Sequence, residues 1–260
     1  MMTHPLREVV VMVCFAAQAV FQPAAGLPGK DVVWVPTPPE VVEKMLDMAE
    51  VTPKDFVMDL GSGDGRNIIA AARRGARALG VEYNPDLVEL SRRLARDAGV
   101  AGKASFVQGD MYKADVSQAT VLTLFLKPEN LDQMRDQFLA MKPGTRIVLN
   151  TFPITDWEPD VTETMGPPCR IWCTVMLVIV PARVAGIWQV EGVPMTLSQD
   201  YQFLTGTIGG QAVTGRLRGD AITLTSGKTE YTGRITGDRI DGVAATAGAQ
   251  APWIATRRRE

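Results

Sequence analysis

Histidine is almost absent: the single one, His4, stands at the extreme amino terminus of a 260-residue chain. A histidine general base, a Ser-His-Asp relay and a multi-histidine metal site are therefore excluded from the rest of the sequence. Net charge is scarce too, with 27 basic against 29 acidic residues and a formal balance of −2. Proteins that hold nucleic acid cluster Lys and Arg to neutralise phosphates, and the only dense basic run here is Arg257-Arg258-Arg259, so no nucleic-acid partner is expected. Three cysteines are too few for a disulfide scaffold, and Cys14 lies in a segment that processing could remove. If the segment holding Cys169 and Cys173 is extended, those two stand about 13 Å apart at ~3.3 Å per residue, too far for a disulfide without a turn between them. They are expected to pack rather than to bond.

Long apolar runs are also missing. The nearest is residues 9–21, after Arg7 and before a Pro/Gly/Ala stretch that ends at Lys30. It is shorter than the ~20 residues of a spanning helix, though it reaches that length if residues 24–27 are included. It reads as a secretory signal with a cleavage site near Ala17-Gln18-Ala19, as an uncleaved membrane anchor, or as a surface helix. Residues 1–30 are thus set apart as a signal-like or anchor segment and linker.

From residue 31 to 184 short Val/Leu/Ile-rich runs alternate with helical patterns, the signature of βαβ units and a largely parallel sheet. Strands are expected at 56–60, 76–82, 104–108, 119–124 and 145–150, with a late one, parallel or antiparallel, within 170–180. Helices are expected from the proline cluster at 36–39 to about 50, and at 66–74, 85–98 and 128–142. From 185 to 260 the helical pattern stops, and short alternating stretches are divided by Gly-rich turns, which predicts a small all-β barrel or sandwich. Gly206, Gly215, Gly219, Gly227, Gly233, Gly237 and Gly242 recur as if dividing successive hairpins, and Trp188 and Trp253 are expected to close the core.

The chemistry-bearing constellation is Phe56-Val57-Met58-Asp59-Leu60-Gly61-Ser62-Gly63-Asp64-Gly65: an apolar strand ending in an acid, a glycine-rich turn, then a helix. Glycines there let backbone amides approach a ligand. Glu82 follows 17 residues after Gly65, at the end of the next strand, placed to bind two ribose hydroxyls. A dinucleotide fingerprint needs a third small residue where this chain has Arg66, so a single nucleoside is favoured.

With these residues the chain resembles the seven-strand, class I S-adenosylmethionine-dependent methyltransferases over about residues 31–181. That resemblance implies a Rossmann-like, doubly wound seven-strand sheet with S-adenosyl-L-methionine as cofactor. It places the methionine portion on Asp59, Gly61, Ser62, Gly63 and Asp64, the ribose on Glu82, and the adenine amino group on Asp110. Val35-Pro36-Thr37-Pro38, Leu60 to Arg66 and Gly80-Val81-Glu82-Tyr83-Asn84-Pro85 look most like the lysine methyltransferases that modify the ATP synthase c-subunit. By that likeness Pro36 and Thr37 wall the cofactor pocket, and Tyr83, Asn84 and Met111 join its contacts. The β region at 185–260 lies outside the resemblance.

Methyl transfer is an in-line displacement that needs alignment and exclusion of water more than acid–base machinery. No Asn/Asp-Pro-Pro-Tyr/Phe follows the fourth strand, which instead reads Leu124-Phe125-Leu126-Lys127-Pro128, disfavouring nucleic-acid N-methylation. Beyond Asp110 and Asn150 no carboxylate and amide set for a metal can be assembled, and no residue earns the role of general base. Phe125, Phe152 and Trp157 are the candidates for an apolar channel that would favour an uncharged lysine amine. The expected activity is methylation of a protein lysine, on a partner that is membrane-associated if residues 9–21 reach a bilayer. A small-molecule methyltransferase and a non-catalytic binding protein are the alternatives. The cytoplasmic origin of the cofactor favours a cytoplasm-facing domain, and the oligomeric state is left open.

Overall fold

The computed structural model describes residues 30–258. The apolar run at 9–21 and its possible signal or anchor role lie outside the described residues. Among the described residues no helix is long and apolar enough to cross a membrane.

Helix α1 (Pro39–Met48) starts on a proline, whose missing N–H costs nothing at a first turn, and buries Val41, Val42, Met45 and Leu46 at helical spacing. Strands β1 (Phe56–Leu60), β2 (Arg77–Glu82), β3 (Ala104–Gln108), β4 (Val121–Leu124) and β5 (Arg146–Asn150) are mutually parallel. Helices α2 (Arg66–Arg73) and α3 (Pro85–Asp97) make the crossovers on either side of β2. Two further strands, β6 (Val161–Thr164) and β7 (Thr174–Ile179), complete a seven-stranded sheet ordered β3-β2-β1-β4-β5-β7-β6, with β7 antiparallel to both its neighbours. The chain reverses its direction of travel across the sheet between β1 and β4, and the crevice at the carboxyl ends of strands at such a point is where α/β sheets take ligands.

Three expectations are corrected. The helix expected over 128–142 is two, α4 (Pro128–Gln133) and α5 (Arg135–Leu139), broken at Met134. Leu131, Met134 and Phe138 stay buried across the break, so the apolar spacing carries no sign of it. The strand expected within 170–180 begins only at Thr174, because residues 166–173 fold into a turn closed by a Cys169–Cys173 disulfide with Cα atoms 5.9 Å apart. The two cysteines bond because their segment is not extended: Trp172 takes a φ of 58° and reverses the chain between them. Strand β6, mostly exposed at the sheet edge, carries too little apolar pattern to be read from sequence.

The carboxyl-terminal region is a closed barrel. Strands β8 (Gly186–Val190), β9 (Val193–Asp200), β10 (Phe203–Ile208), β11 (Gln211–Arg218), β12 (Ala221–Ser226), β13 (Thr229–Thr236), β14 (Arg239–Thr246) and β15 (Ala249–Arg257) each pair antiparallel with the next, and β15 returns to β8. Closure removes the exposed sheet edges that a sandwich would leave. Alternate inward side chains fill the interior, among them Trp188, Leu197, Leu217, Ile222, Leu224, Ile240 and Trp253, with Ala182 and Val184 joining from the connecting segment. Trp188 and Trp253 do share this core, and each indole N–H reaches a carbonyl, of Val184 and Thr232 respectively.

The recurrent glycines divide into two kinds. Gly219, Gly227 and Gly237 sit in turns at positive φ, whereas Gly206, Gly215, Gly233 and Gly242 lie within strands. A methyl group at Gly242 would overlap the Thr232 carbonyl and lie 2.5 Å from Trp253 Nε1, so these strand glycines mark where backbones press together in a tightly curved wall. Gly242→Ala is expected to destabilise the protein by about 3 kcal/mol through overpacking. Gly227→Ala, in a turn with nothing near the added carbon, should cost about 1 kcal/mol. Urea denaturation read by tryptophan fluorescence checks this, and equal midpoints would refute it.

Candidate active site

At the carboxyl end of β1 the chain turns over the end of β2: the amides of Gly61 and Ser62 donate to the Val81 carbonyl at 2.8 and 3.1 Å. Gly63 then donates to Glu82 Oε2 at 2.8 Å, and the other oxygen, Oε1, accepts the Asn84 amide at 2.8 Å. Glu82 is thus the clamp between the glycine loop and the start of α3. Ser91 Oγ donates to the Gly63 carbonyl at 2.9 Å and fixes the loop from below. Gly65, left-handed at φ 79°, opens α2, whose amino-terminal dipole faces the same space.

Residues 30–37 cross the front of this loop as a strap. Arg66 holds it there: its guanidinium is bidentate to Asp64, at 2.9 and 2.6 Å, and donates to the Thr37 carbonyl at 2.6 Å. The Trp34 indole lies against Gly63 so closely that any side chain there would strike it. Strap, loop and strand ends enclose a cleft of about 830 Å³ including its open mouth.

Ten of the expected cofactor residues line it: Pro36, Thr37, Asp59, Gly61, Ser62, Asp64, Glu82, Tyr83, Asp110 and Met111. The other two stand behind the wall. Gly63 contributes its backbone to the Glu82 clamp, and Asn84 caps α3 by accepting the Asp86 amide at 2.9 Å. Lys30, Trp34, Arg66 and Asn67 also line the cleft. Of these four the sequence singles out only Arg66, and for what it excludes rather than for what it holds.

The electrostatics are uneven. Asp59 is 3% exposed, and burial, opposed by an Asn67 amide donating at 2.9 Å and reinforced by Glu82 and Asp64, pushes its carboxyl up to about 7. Among the described residues no basic side chain makes an ion pair with Asp59 or Glu82, because Arg66 is committed to Asp64. Asp110 differs: the Lys30 ammonium at 2.9 Å holds its carboxyl below the usual carboxylate range. Its other oxygen accepts the Tyr112 amide at 3.1 Å, so it also caps the short 3-10 turn Met111–Lys113. Ser62 Oγ and Asn67 Oδ1, both buried on the cleft wall, have no hydrogen-bond partner among the described residues. A cavity with unneutralised buried carboxylates, orphaned polar atoms and a glycine cradle fits a cationic nucleoside of the size of S-adenosylmethionine.

Beside the mouth, Phe125 after β4 and Phe152 after β5 stack with ring centroids 6.1 Å apart and planes 11° apart. The expected third ring, Trp157, is not among them: it is 1% exposed and stacks on Tyr201 of the barrel at 5.1 Å. The β5–β6 connection dives into the interface between sheet and barrel there, which removes Trp157 from the mouth. Its place is taken by Trp172, from the disulfide turn, at 5.5 Å from Phe125 and 5.8 Å from Phe152. Of the three only Phe125 also lines the cleft. No group of three or more His, Cys, Asp or Glu side chains suited to a metal occurs among the described residues.

A switch-point cleft built on an acid-ended strand, a glycine loop and a second acid one strand over defines a class I S-adenosylmethionine-dependent methyltransferase. The ANTKMT methyltransferase domain family matches residues 59–161. A protein-lysine N-methyltransferase of Saccharolobus islandicus is 43% identical over 132 residues, 49% of this chain and 81% of that protein. The ATP synthase c-subunit lysine N-methyltransferase of Mus musculus is 37% identical over 134 residues, 51% of this chain and 54% of that protein. This chain therefore spans little more than half the length of the mouse enzyme. Among solved structures, an RNA methyltransferase from Salinibacter ruber in complex with S-adenosyl-L-homocysteine is 43% identical, with a TM-score of 0.54, covering 58% of this chain and 96% of that one. The chain belongs to the family of S-adenosylmethionine-dependent protein-lysine methyltransferases that includes the enzymes named for the ATP synthase c-subunit and for adenine nucleotide translocase.

The raised Asp59 carboxyl has a definite sign in stability. The folded protein holds a proton on Asp59 that the unfolded chain, near the ordinary value of 3.8, has already released, so stability falls as pH rises from about 4 to about 7. Asp59→Asn removes this dependence. Relative to wild type, the ligand-free variant should gain roughly 2 to 3 kcal/mol between pH 5 and pH 8. Thermal or urea unfolding at the two pH values reads the difference, and a pH-independent gap between variant and wild type would refute the assignment.

Proposed function

We propose that this chain transfers the methyl group of S-adenosylmethionine to the side-chain amine of a lysine in a protein, and that the acceptor is membrane-associated. The observation that carries the reading is the partly exposed aromatic group that adjoins the cofactor cleft through Phe125, in a site with no histidine among the described residues. When bound, S-adenosylmethionine supplies an electrophilic methyl group on a sulfonium.

This chain's residues then bind and orient. Asp59, Gly61, Ser62, Gly63 and Asp64 take the methionine portion, with ionised Asp59 facing its ammonium. Glu82, whose two oxygens each keep a lone pair after accepting the Gly63 and Asn84 amides, takes the ribose hydroxyls, flanked by Tyr83 and Asn84. Asp110 and Met111 take the adenine, and Pro36 and Thr37 wall the pocket. The acceptor amine must be uncharged at the instant of attack: the faces of Phe125 and Phe152 receive it as the ammonium, solvent takes the proton, and the neutral amine then reacts.

The lysine acceptor draws support from the archaeal relative and from the mouse enzymes, named for the ATP synthase c-subunit and adenine nucleotide translocase. The membrane location draws support from the apolar run at 9–21. The Salinibacter relative is described as an RNA methyltransferase, which makes RNA the rival acceptor. Against RNA stand the balanced charge of this chain and the Leu124-Phe125-Leu126-Lys127-Pro128 sequence after β4.

Tritiated S-adenosylmethionine incubated with the protein and with separated soluble, membrane and RNA fractions tests the reading. Label is expected on lysine of a membrane-fraction protein. Label confined to RNA or to small molecules would overturn the proposal. As a control on the site, Glu82→Ala should weaken cofactor binding by about 1–3 kcal/mol in calorimetry. Unchanged affinity in the folded variant would remove Glu82 from the ribose.

A further inference from the structure

Trp172 comes from a part of the chain that contributes nothing to the cofactor cleft. It lies in the turn at 166–173, between the edge strand β6 and β7, and takes a left-handed φ of 58°, a conformation that a bulky residue adopts only where its surroundings impose it. Those surroundings are visible. The Cys169–Cys173 disulfide closes the turn around it, the Met165 amide donates to the Cys173 carbonyl at 2.9 Å, and the Cys169 amide donates to the Gly166 carbonyl at 3.2 Å. The indole is thereby set against Phe125 and Phe152 at tilts of 59° and 51°, while those two rings lie nearly parallel to one another. All three rings belong to residues that keep part of their surface in solvent.

This is an unusual use of aromatic surface. Three large rings from three separate connections meet at one place while each keeps part of its surface in solvent; Phe152 also packs against the sheet's core, and Phe125 is shared with the cofactor cleft. A wall of π-faces beside the methyl donor attracts an alkylammonium group, and attraction persists as methyl groups replace N–H, because the charge is kept while its hydration weakens. We propose that Trp172 is the specificity-determining residue of the acceptor site, that it completes with Phe125 and Phe152 a surface for lysine and its methylated forms, and that the Cys169–Cys173 disulfide is what holds it there. The proposal rests on the lysine reading above and deepens it. A port that keeps its grip on a methylated amine retains the product of one transfer for the next.

Opening the disulfide should therefore loosen acceptor binding and leave the cofactor cleft alone. With a phosphine the chemistry balances: each sulfur gains one electron and one proton, and the phosphine is oxidised to its oxide with oxygen from water.

The test uses choline, which carries the trimethylammonium head of trimethyllysine, against its neutral isostere 3,3-dimethylbutanol, with the full chain loaded with S-adenosylhomocysteine and binding read by saturation-transfer NMR. The cation is expected to bind saturably and the isostere weakly. Trp172→Ala should weaken the cation roughly five- to thirty-fold, the range of one partly desolvated cation–π contact, and Trp172→Phe should restore most of it. Reduction by phosphine, or Cys169→Ser with Cys173→Ser, should act in the same direction. S-adenosylhomocysteine affinity should change by less than about twofold throughout, which shows each variant to be folded. Equal cation binding in wild type and Trp172→Ala overturns the proposal, as does a wild type that ignores the cation. Neither result bears on whether lysine is labelled by tritium, so loss of the aromatic port and loss of the lysine reading are told apart.

Discussion

Two carboxylates, Asp59 and Glu82, are buried at the ends of adjacent parallel strands with no basic side chain among the described residues paired to either, and the rest of the cleft is arranged around that imbalance. A carboxylate removed from water without a partner is costly and is retained only where something else satisfies it. Glu82 is satisfied by two backbone amides, which is why the glycine loop and the start of α3 are held in one geometry. Among the described residues Asp59 has only the Asn67 amide, and its raised proton affinity is the remaining deficit. Arg66, a cation of the cleft lining, is drawn off by Asp64 and the Thr37 carbonyl, so it braces the strap instead of neutralising the cleft. A cationic ligand is what the arrangement calls for, and the sulfonium cofactor supplies it.

The barrel touches this arrangement at one remove. Its interior is filled by apolar side chains, so it is a solid body rather than a container. Besides the chain link from β7 to β8, it meets the sheet domain at the connection between β5 and β6. Trp157 stacks on Tyr201, the Gln202 side chain donates to the Glu158 carbonyl at 2.7 Å, and Arg216 pairs with Asp160 at 3.1 Å. That connection begins at Thr151, at a φ of 67°, followed by Phe152. The barrel therefore grips the far end of the segment whose near end presents a ring beside the cofactor cleft. The same contacts explain why a tryptophan five residues after Phe152 is core and not mouth.

The cleft was legible in the sequence because its signals are local. Asp59 to Gly65, Glu82 and Asp110 each sit at the end of an apolar run, and a strand end followed by a glycine turn has few other readings. Five parallel strands, one late strand and the all-β character after residue 185 followed from periodicity and turn residues, whereas the count of seven strands came from the family resemblance and β6 was not read. What escaped was what depends on chain reversal or on distant packing. Cys169 and Cys173 bond because Trp172 turns the backbone, and nothing in their spacing states that φ. The break at Met134 is hidden by apolar spacing that continues through it. Closure of the barrel, as against a sandwich, is decided by the pairing of β15 with β8, which lie at opposite ends of a series of short, similar strands.

The division between shared and individual parts follows the same line. The family match covers residues 59–161, which takes in the glycine loop, Glu82, Asp110, Phe125 and Phe152, and stops before the disulfide turn and the barrel. The residues that the resemblance assigns to the donor fall within the matched part, except Pro36 and Thr37 of the strap. In this chain the aromatic wall crosses the boundary. Phe125 and Phe152 come from the matched sheet and Trp172 from the turn beyond it, so the last ring of the wall is fixed by structure that the shared part does not contain.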